Sequence, residues 1–292
     1  MLPILWWIIA TALGSFWTPP YKKALGLWKN IPNSLFKAFA PSCGIIIFVI
    51  LIQFLWFQNQ LFSDVKAISL ILFIAIISTI NQLIWLRVYK VTKLSELLPY
   101  WNIDKLFIII FWFFLYQWVL WKETSTATLV ITIATLLIIA VFTIDFKNIK
   151  ISKSVGLFIV NRLLWALTTL IIWYILIQYT TITYGFTHSI LEIILLISIS
   201  IYWKNKLWVM LQQSKSFYKY RFSAIAMWQA NFIIWLFLIE SLWIVIASLL
   251  GFISVVFNIL AMKLMLNDTP TKKQIILAFI VIFMIWIGYY FK

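Results

Sequence analysis

The sequence predicts an all-α integral membrane protein: ten transmembrane helices arranged as two inverted five-helix repeats. Three observations predict it. The chain has 292 residues, of which 64% are hydrophobic and 11% charged, with mean hydropathy +1.03. Its apolar residues form continuous runs rather than alternating, which selects helices over barrel strands. A polar knuckle also recurs: Lys122-Glu123-Thr124-Ser125-Thr126 returns as Asn267-Asp268-Thr269-Pro270-Thr271.

No soluble domain has interior enough for so much apolar surface. A hydrocarbon layer of about 30 Å takes roughly 20 apolar residues per helix, and buried backbone must pair within itself there. The formal net charge of +15 would point to nucleic acid in a soluble protein. Here the basic residues sit in short loops and read as topology determinants, so no nucleic-acid partner is expected. One cysteine, Cys43, and one histidine, His188, exclude an intramolecular disulfide and a multi-histidine metal centre. No metal, cofactor or catalytic constellation is expected. MLPILWW lacks the basic region and cleavage pattern of a signal peptide and reads as mature.

The first predicted helix runs from Leu2 to Leu27, with a kink at Pro19 and Pro20 that either shapes the helix or lines a pathway. The second spans Ser34 to Phe57, with Ser34 a candidate cap and Pro41 inside. The third covers Ala67 to Trp85, the fourth Leu94 to Trp121 and the fifth Thr126 to Ile144. A charged stretch, DFKNIKISK, then divides a first repeat (1–145) from a second (154–292), with 146–153 as linker. The sixth helix runs from Val155 to Ile177. Gln178 to Gly185 reads as a turn, and the seventh helix spans Thr187 to Trp203. In the loop that follows, LWVMLQQS reads as a short interfacial helix. Ser223 to Leu266 spans roughly 66 Å as a helix. It therefore holds the eighth and ninth, turning at Glu240. The tenth runs from Thr271 to Phe291.

The two knuckles stand 145 residues apart, 267 against 122, and each opens the last helix of its half. Five helices per half is an odd number, so the halves enter the membrane from opposite sides, an arrangement characteristic of transporters. Eighteen Lys and Arg fall on odd-numbered loops and their flanks, Lys37 and Arg221 among them, and three on the even side. Lys105 and Arg162 lie within helices, which accounts for all 23. The odd loops are then cytoplasmic and both termini extracytoplasmic, in a multi-pass protein of the plasma or inner membrane.

ATALGSFWTPPYKKAL resembles the first helix of EamA-type proteins of the drug/metabolite transporter superfamily, with its small-Gly-Ser step and nearby Lys. VYKVTKLSELLP resembles that family's junction between helices 3 and 4. WKETSTATL and NDTPTKKQ resemble its two knuckles, with Lys122 where glycine is usual and Asp268 where glutamate is usual. The resemblance implies a ten-helix transporter that moves metabolites, amino acids or drugs by alternating access, without a cofactor. It implies a central cavity lined mainly by helices 1, 3, 4, 6, 8 and 9. The family's usual topology puts the termini inside, against the charge bias of this chain.

Ionisable residues within spans are the candidates for function, since each costs about 2.5–3.5 kcal/mol at the helix centre on insertion scales. Asp104 and Lys105 lie near mid-span, roughly 15 Å into the fourth helix, with Trp101 beside them. They form either a site for a zwitterion or a structural ion pair. Arg162 either binds a carboxylate, pairs with Asp104 or Glu96, or snorkels to the interface. Gln82, Gln229 and Asn258, with Asn81, Asn161 and Asn231, either bind solute or bridge helices. Glu96 and Glu240 begin the fourth and ninth helices as gate candidates or favourable helix-start carboxylates. His188 and Glu192, at i and i+4 near the outer face, form either a wet helix end or a proton relay. Most of the 18 tryptophans read as interface belts, while Trp17, Trp101 and Trp165 read as candidates for the cavity wall. The expected activity is secondary transport of a small organic solute, an amino acid or related metabolite. The alternatives are an organic-cation exporter and a non-transporting scaffold. The expected partners are solute and lipid, with a homodimer possible but a monomer sufficient.

Overall fold

A computed structural model of the chain describes residues 2–27, 33–92, 97, 100–120, 126–143, 152–203, 213–241, 249–266 and 272–290. Both knuckles, Glu96 and most of the linker and of the LWVMLQQS stretch lie outside them. Among the described residues all regular structure is helical. Among the described residues five helices are long and apolar enough to cross a membrane: Ser34–Ile52, Val65–Val91, Lys153–Leu176, Thr181–Tyr202 and Lys215–Leu238.

The first predicted helix divides into α1 (Leu2–Phe16) and α2 (Thr18–Leu27). Pro19 and Pro20 occupy the first turn of α2, where a missing amide is tolerated. The amides of Trp17 and Tyr21 still donate back to Leu13 and Trp17 at 3.1 Å, so hydrogen bonding passes through the junction. α3 (Asn33–Ile52) contains Pro41. Ser34 is not its cap but lies within it, paired with the Ser200 hydroxyl. After a 3₁₀ turn, Asn59–Ser63, comes α4 (Val65–Val91), whose N-cap Asp64 accepts from the amides of Lys66 and Ala67. The chain continues as α5 (Ile103–Leu120), α6 (Thr126–Thr143) and α7 (Lys153–Leu176), the last capped by Ser152. α8 (Thr181–Tyr202), α9 (Lys215–Ser241), α10 (Ser254–Leu266) and α11 (Lys272–Tyr290) follow.

One boundary differs from the sequence expectation. α8 starts at Thr181 rather than Thr187, capped by the Thr180 hydroxyl. Gly185 is therefore inside a helix and not in a turn. A Cβ there would come within 2.2 Å of the Phe48 ring, so the glycine serves a close helix contact. α9 reaches Ser241, so the turn expected at Glu240 falls at the edge of the described residues.

α3 packs chiefly on α8, α4 on α7 and α8, α1 and α2 on α9, and α6 on α11. Two apolar clusters fix the direction of these helices. One joins the end of α2, the start of α3, the end of α4 and the starts of α7 and α9, through Tyr21, Phe36, Tyr89, Phe158 and Phe217. The other joins the opposite ends of α3, α4, α7 and α9 through Phe48, Ile71, Ile175 and Leu236. α3, α7 and α9 therefore run one way and α4 the other. The outside is apolar, as the exposed row Phe279, Phe283, Trp286 and Tyr290 of α11 illustrates, while Asn, Gln, Glu and Arg are buried within. That distribution suits lipid rather than water.

Candidate functional site

Two interrupted helices meet at the site. The chain turns at Trp101–Asn102 before α5. The carbonyl of Asn102 then accepts from the Lys105 amide at 3.0 Å. Asp104 consequently lies in the first turn of a new helix, where the helix dipole favours a carboxylate. This corrects its expected place midway along a continuous helix. The ninth predicted span is also interrupted, by a turn at Phe252–Ile253 before α10. The Ser254 hydroxyl donates to Asn102 Oδ1 at 3.1 Å. The stem of Lys105 lies over Gly251, where a Cβ would approach Lys105 Cε to 2.9 Å.

Beside this junction is a cavity of about 220 Å³. Seven tryptophans line it: Trp7, Trp17, Trp85, Trp101, Trp165, Trp228 and Trp235. Its charged lining, among the described residues, comprises Lys37, Lys105, Arg162, Arg221 and one carboxylate, Asp104. Asp104 is buried and ion-paired to Lys105 at 2.7 Å, while its Oδ1 has no partner. The Arg162 guanidinium lies 5.0 Å from the Trp85 ring centre and 4.8 Å from those of Trp101 and Phe158. Cation–π attraction of about 0.5–2 kcal/mol per ring offsets part of its burial. Its Nε and Nη2 are buried without a hydrogen-bond partner. Arg162 thus neither snorkels nor forms a direct ion pair with Asp104. Nine residues into a 24-residue helix, it lies near mid-span.

Stacked and edge-on contacts join Trp17, Tyr21, Trp85, Tyr89 and Trp101 at the end of the cavity nearer the basic loops. At the opposite end of α4, the Tyr179 hydroxyl donates to Asp64 Oδ2 at 2.7 Å. That bond, with those from the Ala67 and Lys66 amides, holds the Asp64 carboxyl below the usual carboxylate range.

No family model matches the chain. No curated protein matches it. Among solved structures 25 chains match. One crystal structure superposes with a TM-score of 0.68 at 13% identity, covering 99% of this chain and 98% of that one. That likeness extends over the full length and concerns the fold alone.

The structure brings six of the candidate solute-binding residues to one cavity: Trp17, Gln82, Trp101, Asp104, Lys105 and Arg162. Gln229 is not in its wall. Its Nε2 donates to the Ala40 carbonyl at 2.5 Å, clamping α9 to α3 beside a smaller side cavity. Asn258 is buried on α10, away from both cavities, with its Nδ2 unpartnered. Asn161 Nδ2 donates to the Asn81 carbonyl at 2.9 Å, so this pair bridges α7 and α4. His188 and Glu192 do not form a wet helix end: they are 6% and 5% exposed and line the side cavity. The early start of α8 puts Glu192 eleven residues in, about 16 Å deep by helical rise. Glu240 is the last residue but one of α9; its side chain lies outside the described residues.

Lys37 and Arg221 are the functional candidates the sequence reading missed, having counted them as loop charges. Lys37 is 5% exposed, with its ammonium over the Tyr21 ring. Arg221 is 3% exposed and donates to the Phe36 carbonyl at 2.8 Å. The available signal was their spacing: each lies within an apolar, aromatic helical run that continues on both sides. Trp7, Trp85, Trp228 and Trp235 were also missed among the presumed belt tryptophans.

Proposed function

We propose that the protein is a secondary transporter that moves a small organic solute, an amino acid or related metabolite, by alternating access between two five-helix halves. The observation that carries this reading is the Arg162 guanidinium, whose Nε and Nη2 lack hydrogen-bond partners, in an aromatic-walled cavity at mid-span. A buried guanidinium with unmet donors is expensive in the membrane, and a carboxylate solute would supply the missing acceptors. Asp104, at the start of α5, offers an acceptor to an ammonium group, and the tryptophans offer faces to an apolar or aromatic side chain. The cavity is smaller than the ~300–1,000 Å³ common for drug-sized ligands, which favours a compact solute. The facing breaks before α5 and α10 support a site between halves, as does the motif resemblance to the drug/metabolite transporter superfamily. The basic-loop bias supports a multi-pass orientation with both termini extracytoplasmic.

A thermal-shift screen of the purified protein against amino acids, nucleosides, sugars, polyamines and quaternary amines tests the solute class. In proteoliposomes, Asp104→Asn and Lys105→Gln are expected to abolish uptake of the stabilising solute while the folded protein persists. Undiminished uptake by both variants would refute the site. Stabilisation by quaternary amines alone, with Lys105 and Arg162 dispensable, would favour an organic-cation exporter. Four cations against one carboxylate in the described lining argue against that outcome.

A further inference from the structure

We infer that Glu192 is a proton-binding site coupled to the solute cavity through Gln82 and Ser78, making the protein a proton–solute symporter. This rests on the transport reading above. Glu192 lies at the middle of α8, facing a side cavity of about 40 Å³. The Ser78 hydroxyl donates to its Oε1 at 2.6 Å, and the Gln82 amide donates to the same oxygen. Ser78 and Gln82 line both cavities. One turn before Glu192, His188 is 6% exposed, and its Nε2 is buried without a partner. A carboxylate and an imidazole thus stand together at mid-membrane, and the two side chains that hydrogen-bond the carboxylate also line the solute cavity.

The charged and titratable surroundings are few. On α8 itself Tyr184 stacks on His188 at 5.5 Å. From α3 come Lys37, which interacts electrostatically with Glu192, and Cys43, next to Gly44, whose neighbours are Ser189 and Gln229. From α4 come the neutral Ser78 and Gln82, and from α7 the neutral Thr168. From α9 comes Gln229, with Arg221 the nearest cation on that helix.

Ionised Glu192 engages the Gln82 amide nitrogen by a hydrogen bond. A proton arriving from water bonds to one carboxylate oxygen, removes the charge and weakens that hydrogen bond, so the amide can turn to a solute carboxylate. Neutralisation also removes a negative charge near the place where the solute carboxylate would bind. Proton and carboxylate therefore favour each other's binding, and by linkage the preference is mutual. One proton enters with each solute carboxylate and leaves when Glu192 ionises on the other side.

The test uses the full chain, with L-phenylalanine as probe because it joins a carboxylate, an ammonium and a ring. Infrared difference spectra of the purified protein between alkaline and acidic buffer should show a protonated-carboxyl band. The band should be absent in Glu192→Gln and shifted in frequency in Gln82→Ala, which keeps the carboxyl. In proteoliposomes with an alkaline interior, a gradient of about one pH unit supports up to about tenfold accumulation for one coupled proton. The unsubstituted protein should accumulate phenylalanine towards that limit, whereas Glu192→Gln should only equilibrate it. Lack of a Glu192-dependent band overturns the proton site. Accumulation by Glu192→Gln equal to that of the unsubstituted protein overturns the coupling. A Glu192 band without phenylalanine flux in the unsubstituted protein also overturns the coupling, and assigns the failure to the solute reading rather than to the proton site.

Discussion

The Ser254 hydroxyl donates to Asn102 Oδ1 at 3.1 Å, joining two helix breaks that stand 152 residues apart in the chain. α5 starts just after Asn102 and α10 at Ser254. The bond therefore ties the start of one half-helix to the start of the other beside the cavity.

Asn102→Ala and Ser254→Ala should each destabilise this junction by about 0.5–1.5 kcal/mol, the usual net worth of an intramolecular hydrogen bond. Because the two residues share one bond, the double variant should cost less than the sum of the single variants. Thermal midpoints of the three variants in detergent measure that coupling. Additive effects would mean the bond does not hold the breaks together.

Arg162 sets function against stability. Its guanidinium is stacked on three ring systems, but Nε and Nη2 lack hydrogen-bond partners. Replacing an unpaired buried charge with an apolar side chain of similar length removes a desolvation penalty. Arg162→Met should therefore leave the thermal midpoint unchanged or raise it, while eliminating solute-induced stabilisation. Arg162→Lys keeps the charge but loses the planar, two-pronged donor face, so solute affinity should fall by tenfold or more. Solute titrations by thermal shift separate the two effects.

Membrane insertion and helical class were legible because continuous apolar runs have few other outcomes. Arg162, Asp104 and Lys105 were legible because mid-span charge is costly. Less legible were features decided by neighbours distant in sequence. Lys37 and Arg221 lie near predicted helix ends, where a long basic side chain ordinarily reaches outward. Packing against Tyr21 and the Phe36 carbonyl turns them inward instead. Gln178 to Gly185 reads as a turn because it is rich in Thr and contains Gly, yet Thr180 caps a helix that starts at Thr181, and Gly185 accommodates Phe48. The start of α5 had a local sign in Pro99 and Asn102. The offset of 145 sets Trp101–Asn102 against residues 246–247, whereas the observed break is at Phe252–Ile253.

Gly185 gives a direct test of the corrected α8. A methyl group there meets the Phe48 ring on a fully buried face, so Gly185→Ala should destabilise the protein by about 1–3 kcal/mol through overpacking. Phe48→Leu removes the clashing atoms and should recover part of that loss in the double variant. A tolerated Gly185→Ala would instead fit a loose turn.

Asp64 predicts a pH response outside the membrane-spanning segments. The Tyr179 hydroxyl and the Ala67 and Lys66 amides all donate to its carboxylate, which lowers its folded-state value below the usual ~3.9. Its contribution is therefore fully present above that unfolded-state value and is lost as pH falls through the lower folded-state one. The first turn of α4 and the 179–180 segment should loosen together under acid. Amide hydrogen exchange, corrected for the intrinsic pH dependence, should show lost protection at Lys66 and Ala67 in that range. Asp64→Asn should show weakened protection already at neutral pH, with little further acid response. An unchanged acid response in Asp64→Asn would assign the loosening to another group.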